Sequence, residues 1–186
     1  MVREFDTGTD DLLAHLDGNV GVVTFNRPER RNALSDAMYA GFGRVLPELA
    51  IDPDVRVVLL TGNGGAFCSG GDVKGMNAAH QSGGAREGRP SNTDDSITFL
   101  RRSQRQVSLA LHEFPKPVVA ALPGAAAGAG LSIALAADIR LAAERAILVT
   151  AFANVSASGD FGGSWFLTQL VGPAKARELY WTSPRL

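Results

Sequence analysis

Two clusters of small residues carry the first chemical signal in this chain. Gly62, Gly64, Gly65, Gly70 and Gly71 follow a mostly apolar, β-branched run that begins at Val55, and Asp72, a helix-capping type, comes directly after them. A strand that breaks into glycines and then starts a helix leaves backbone N–H groups aimed at one point. Such a point attracts negative charge, either a phosphate or an oxygen that becomes negative during reaction. A plain connecting turn is one reading of this loop. A dinucleotide fingerprint fails, because no third glycine follows Gly62-Asn63-Gly64 at the required spacing, and a P-loop fails for want of Gly-Lys-Ser/Thr. Gly128-Ala129-Gly130 repeats the strand, small-residue turn and helix start further on; tight helix packing is the other use of such residues. Two such loops together could supply the pair of main-chain donors that an oxyanion hole for a thioester carbonyl requires.

Other chemistries find less support. Ser164, in Gly162-Gly163-Ser164-Trp165-Phe166, lacks the final glycine of a nucleophile elbow. Cys68, near a possible helix start, reads as a thiolate or, more simply, as a small packing residue. His15, His80 and His112 are scattered without metal-ligand spacing, and Trp165 and Trp181 suit a core or an interface better than a base-stacking platform.

The elements that must position the glycine loops follow from periodicity. With 186 residues, 45% hydrophobic and 20% charged, the chain has the composition of one soluble domain spanning residues 1–186. Eighteen basic against nineteen acidic residues point to no nucleic acid and no anionic membrane. The single cysteine, the absence of an apolar leader and the absence of a membrane-spanning run together predict a cytoplasmic protein. Leu12 to Leu16 and Val20 to Phe25 flank Asp17-Gly18-Asn19 as a hairpin. Ser35-Asp36 caps a helix with Met38, Phe42, Val45, Leu46 and Leu49 on one face, and Pro47 is expected to kink or shorten it. Residues 77–93 read as a lid or a disordered loop. A long helix should run from Asp94-Asp95 to about Glu113, burying Ile97, Leu100, Val107 and Leu111 on one face. Pro117 to Leu122, Ile139 to Ala142 and Ile147 to Thr150 read as strands. An alanine-rich helix follows the second loop, one more starts within Asp160 to Ser164, and Pro173 opens a last. The recurrence of strand, turn and helix is of α/β class.

Asn26-Arg27-Pro28-Glu29-Arg30-Arg31-Asn32-Ala33-Leu34, then Ala66-Phe67-Cys68-Ser69-Gly70-Gly71-Asp72, then Lys116-Pro117-Val118-Val119-Ala120-Ala121 through Gly124 to Gly130 and Asp138, together resemble the crotonase, or enoyl-CoA hydratase/isomerase, superfamily in order and spacing. The resemblance covers nearly the whole chain. It implies a spiral of repeated ββα units, an acyl-CoA thioester as substrate, coenzyme A present as part of that substrate with no permanently bound cofactor or metal, and a homotrimer or hexamer. Carried over by position, the two oxyanion donors fall on the amides of Gly71 and Ala129. Arg30, Arg31, Ala33 and Leu34, with Gly71, Asp72, Val73 and Lys74, match the segments that line the coenzyme A path. A charged loop facing solvent is the other reading of Arg30 and Arg31.

The chain departs from the hydratase pattern where such an enzyme would carry its two glutamates. Those positions are Ser132 and Phe152, neither of which can transfer a proton as a carboxylate does. The stretch from Ala151 to Leu167 resembles the isomerase-type branch, in which an aspartate in this turn moves the proton. That aspartate is Asp160, and capping of the following helix is its alternative role. Gly159 stands where the branch often has proline. Members of the family also continue beyond Leu186 with helices that pack the trimer and close the site, so a C-terminal segment is expected to be missing here. Isomerisation by a single carboxylate is the favoured activity; a noncatalytic acyl-CoA binder and a thioester hydrolase on the same scaffold are its rivals.

Overall fold

The computed structural model describes residues 2–72 and 93–186. The hairpin forms as the turn chemistry requires: β2 (Leu12–Asp17) and β3 (Val20–Phe25) pair antiparallel, Leu16 opposite Gly21. A short β1 (Arg3–Phe5), not foreseen in the sequence, adds antiparallel to β2. Beyond β3 the sheet is parallel, through β4 (Val57–Gly62), β5 (Val118–Leu122) and β7 (Ile139–Ala142), in the order β1-β2-β3-β4-β5-β7. Two-residue strands β6 (Ala126–Ala127) and β8 (Leu148–Val149) pair apart from it.

Alternation along the strands turns Leu12, Ala14, Val23, Phe25, Val58, Leu60, Val118 and Ala120 into one buried layer. Helix α1 (Asp36–Ile51) lays Met38, Phe42, Val45 and Leu49 into the same core. Ser35 caps it, its hydroxyl accepting from the Met38 amide at 3.2 Å. Pro47 does not shorten this helix, which continues to Ile51. Burial of Leu46 and Leu49 on either side of the proline holds the last turn against the core, and Lys116 Nζ donates to the Leu49 and Asp52 carbonyls at its end.

Helix α2 (Thr93–Gln104) runs on through a π-helical turn, Arg105–Leu109, into a final turn, Ala110–His112. Its expected length is right but its expected face is not. Val107 and Leu111 are buried, whereas Ile97 and Leu100 are 44% and 39% exposed. The extra residue of the π turn offsets the helical phase before it from the phase after it. Helix α3 (Ala129–Ala136) is apolar on every side and almost wholly buried. Helix α4 (Gly163–Thr182) comprises two segments joined at Gly172, where φ is 77° and ψ 162°, directly before Pro173. Trp165 and Trp181 do not belong to the core, being 53% and 76% exposed.

The register fixes where ligands can meet this sheet. Phe25 is opposite Gly62, and Leu60 is opposite Ala120, so β3, β4 and β5 release their following loops at the same edge. Loops at the carboxyl ends of parallel strands form the usual binding crevice of such sheets.

Candidate active site

The three loops that leave that edge are knotted together by their own backbone. Phe67 and Cys68 amides donate to the Ala125 carbonyl at 3.0 and 3.1 Å, and the Ala127 amide donates to the Cys68 carbonyl at 2.9 Å. The Leu34 amide donates to the Gly70 carbonyl at 2.8 Å, and Ser69 to Arg31 at 3.0 Å. Glycine is required where these chains touch. A Cβ on Gly124 would stand against the Gly65 carbonyl oxygen, and one on Gly130 against that of Cys68, both inside any normal contact. Phe67 anchors the first loop from beneath, its ring edge-on to Phe25 with centroids 5.2 Å apart.

Asn32 is the hub that the sequence did not reveal. It is fully buried in the left-handed region, with φ 57°, which asparagine tolerates better than most side chains. Its Nδ2 donates to the Asn63 and Ala66 carbonyls, each at 2.9 Å, and its Oδ1 accepts from the Arg27 amide at 2.8 Å. Arg27 adds a second tie: its guanidinium donates to the Ala33 carbonyl at 2.8 Å and lies 3.7 Å from the Asp72 carboxylate.

Within this junction the structure brings Gly71 and Ala129 to neighbouring positions. A Cβ on Gly70 would lie 2.7 Å from the Ala127 carbonyl oxygen and 3.3 Å from the Ala129 nitrogen. Ala129 opens α3, behind a Gly128 held at φ 51° and ψ −125°. Among the described residues neither the Gly71 nor the Ala129 amide meets a backbone acceptor. An added Cβ on Gly71 meets nothing within 4 Å. Beside it lies a cavity of about 410 Å³ lined by Glu29, Arg30, Arg31, Ala33, Ser69, Gly71 and Asp72. Arg30 and Arg31 are exposed on its rim, while Leu34 is buried below it. Val73 and Lys74 lie outside the described residues, as does the expected lid.

Asp160 sits in the turn that precedes α4. It does not cap that helix, whose N-cap is Gly162 with no side-chain bond. Its Oδ1 is buried and has no hydrogen-bond partner among the described residues. Desolvation pushes its carboxyl up to about 6. Ser132 and Phe152 are buried close by, and neither is acidic. The Phe152 ring stacks on Tyr180, with centroids 5.9 Å apart and planes 4° from parallel. Burial pushes the Tyr180 phenol up to about 12.

The remaining nucleophile candidates settle as packing or surface groups. Cys68 is fully buried, and burial pushes its thiol up to about 12, so it is no thiolate. Ser164 is exposed on α4. Among the described residues no group of three or more His, Cys, Asp or Glu could hold a metal ion, and no helix is long and apolar enough to cross a membrane.

Comparison with known proteins gives this arrangement a family. The enoyl-CoA hydratase/isomerase family model matches residues 15–186. The 1,2-epoxyphenylacetyl-CoA isomerase of Escherichia coli (strain K12) is 36% identical over 169 residues, which are 90% of this chain and 61% of that protein. An enoyl-CoA hydratase crystal structure from a Polaromonas species superposes with a TM-score of 0.83 at 32% identity, covering 94% of this chain and 64% of that one. A protein from Thermobifida fusca, crystallised in complex with acetoacetyl-CoA, superposes at 0.81 with 30% identity, covering 95% of this chain and 68% of that one. The chain thus spans about three fifths of the length of the E. coli isomerase it matches. It belongs to the enoyl-CoA hydratase/isomerase family and has the crotonase fold.

Proposed function

We propose that this chain carries the acyl-CoA site of an enoyl-CoA isomerase-type enzyme, in which Asp160 moves the proton and the amides of Gly71 and Ala129 hold the thioester oxygen. The observation that carries this reading is the state of Asp160. It is a half-buried carboxylate that does not cap the helix after it, whose Oδ1 is buried without a hydrogen-bond partner among the described residues, and whose proton affinity is raised by desolvation. A general base works best when its pKa lies near the operating pH. A carboxyl with a buried oxygen left unpartnered and no capping duty is the pattern of a site poised for chemistry.

In the proposed step the Asp160 carboxylate takes a proton from the α-carbon of a 3-enoyl-CoA. The electron pair moves onto the thioester oxygen, whose charge the two main-chain N–H groups stabilise. The same carboxyl returns the proton at the γ-carbon, and the double bond comes to rest between the α- and β-carbons. One acid/base group suffices. Hydration would in addition need a group to hold and deprotonate water, and Ser132 and Phe152 offer no carboxylate for that. The exposed guanidinium groups of Arg30 and Arg31, beside the cavity that includes Ala33, Gly71 and Asp72, suit the phosphates of coenzyme A. Coenzyme A enters only as part of the substrate, and assembly into trimers or hexamers belongs to the same reading.

Conversion of a 3-enoyl-CoA to its 2-enoyl isomer, followed by absorbance of the conjugated thioester, tests the assignment. Asp160→Asn should lower kcat by about 10²-fold or more with KM little changed, the usual scale for a lost acid/base group. Turnover undiminished in that variant would remove Asp160 from the role. Release of free thiol by the unaltered chain would instead mark a hydrolase.

A further inference from the structure

We infer that Arg27 is a positioning residue that aims and strengthens the Gly71 N–H through two intervening peptide groups, carrying the influence of its guanidinium charge to the thioester oxygen. The inference rests on Gly71 being one of the two donors proposed above. In a trans peptide the C=O and N–H of one unit point in opposite directions. The Gly71 N–H shares its unit with the Gly70 carbonyl, and that carbonyl accepts from the Leu34 amide at 2.8 Å. The Leu34 N–H in turn shares its unit with the Ala33 carbonyl, which accepts from Arg27 Nη1 at 2.8 Å. Guanidinium, peptide 33–34 and peptide 70–71 therefore form one head-to-tail chain of donors that ends at Gly71. Leu34 and Gly71 pair as an isolated parallel bridge, which turns the Gly71 N–H away from Leu34. Gly70, at φ 89°, seats this last unit against the second loop, where a Cβ would meet the Ala127 carbonyl oxygen.

A charged donor polarises the peptide it binds, and that peptide's own N–H becomes a better donor in turn. Arginine suits the head of such a chain because its charge is permanent and its fork is rigid. Carboxylate oxygens of Asp11 and Asp72 stand further off, 3.5 Å from Nε and 3.7 Å from Nη2, and hold the fork with its remaining nitrogen on Ala33. The backbone of Arg27 is pinned as well, its amide donating to Asn32 Oδ1 at 2.8 Å. Pairing with Arg27 also offsets the negative charge of Asp72, one residue from the donor. The Ala129 N–H is served differently. Its unit ends in the Gly128 carbonyl, which accepts from the Ser132 amide at 3.0 Å and the Ser132 hydroxyl at 3.2 Å, both neutral donors. The two N–H groups are thus unequal, with the charge-backed one on Gly71. What Arg27 adds grows with the negative charge on the oxygen, so it favours the enolate over the neutral thioester.

Two measurements test the relay without turnover. In the ligand-free protein, Arg27→Gln should move the amide proton resonances of Leu34 and Gly71 upfield. The Phe67 amide, bonded to the Ala125 carbonyl outside the relay, should stay in place. Arg27→Lys keeps a charged donor and should return both resonances most of the way. The second measurement uses acetoacetyl-CoA, which ionises to an enolate with its own absorbance, so the ionisation midpoint of the bound ligand reads how well the charged oxygen is held. Arg27→Gln should raise that midpoint by about half a unit, roughly a threefold loss for the charged form, with affinity for neutral butyryl-CoA unchanged. Asp11→Asn keeps an acceptor for the Ser35 hydroxyl and removes a counter-charge from the guanidinium. It should move both readouts the opposite way, which decides the matter even if Arg27→Gln does not fold. Resonances and midpoint unmoved by Arg27→Gln, or moved in one direction by Arg27→Gln and Asp11→Asn alike, would overturn the inference. Failure of the unaltered chain to isomerise a 3-enoyl-CoA, or to bind a coenzyme A thioester at all, would count only against the proposed function, because the amide resonances need no ligand.

Discussion

In its proposed role, Asp160 would serve chemistry at the fold's expense. Its pKa is raised from an ordinary 3.8 to about 6 by desolvation, so the folded chain binds this proton more tightly than the unfolded chain does. The sign follows from linkage: the fold is favoured below the unfolded value, loses stability as pH rises between the two values, and bears the whole penalty above about 6. Two units correspond to about 3 kcal/mol as an upper figure. Asp160→Asn should therefore stabilise the protein by on the order of 1–2 kcal/mol near neutral pH, and by much less near pH 4. Thermal unfolding at the two pH values checks this, with a gain of about 3–6 °C expected at the higher one. A gain in stability coupled to a loss of turnover is the trade that separates an active-site carboxylate from a structural one.

Within the loops, glycine positions divide by what an added methyl group would meet. Gly130→Ala would drive a Cβ into the Cys68 carbonyl, with the α3 backbone on one side and the first loop on the other, neither free to move. A loss of about 3 kcal/mol or more is expected, in the upper range for overpacking. Gly71→Ala meets open space at an ordinary φ, so the melting temperature should hold. Its methyl group would instead enter the proposed oxyanion space, and isomerase activity should fall by roughly tenfold or more. Melting curves and turnover for the pair would separate glycine kept for packing from glycine kept for chemistry. Both loops were legible in the sequence because glycine and alanine runs between apolar strands and helices are hard to explain otherwise. Asn32 was not, being one polar residue inside a charged stretch whose partners, Asn63 and Ala66, lie about thirty positions away and meet it only in the folded chain. The Ile97 and Leu100 face misled because a π turn is invisible to a simple count of helical spacing.

The whole molecule guards its two sheet edges unequally. β1 ends the sheet with Arg3 and Glu4 exposed, and Arg3 is further engaged by Asp52, so charge blunts that edge. β7 ends the other side among the described residues, and it presents Ile139 and Leu141 at 53% and 61% exposure. A separate apolar hollow of about 360 Å³ lies between α3, β8 and α4, lined by Leu131, Leu135, Leu148, Leu167 and Leu179. An unpaired strand with bulky apolar side chains, together with an apolar hollow, is surface that water disfavours. The chain of 186 residues should consequently associate in solution, sedimenting above the 19.5 kDa of one copy in a concentration-dependent way. Leu141→Lys places a charge on the β7 edge without touching the buried layer, because Leu141 already faces outward. It should shift the population toward single copies while leaving the melting temperature near its original value. An unchanged sedimentation profile would show that association, if present, uses another face. A monomeric parent chain would show that the β7 edge is tolerated as it stands.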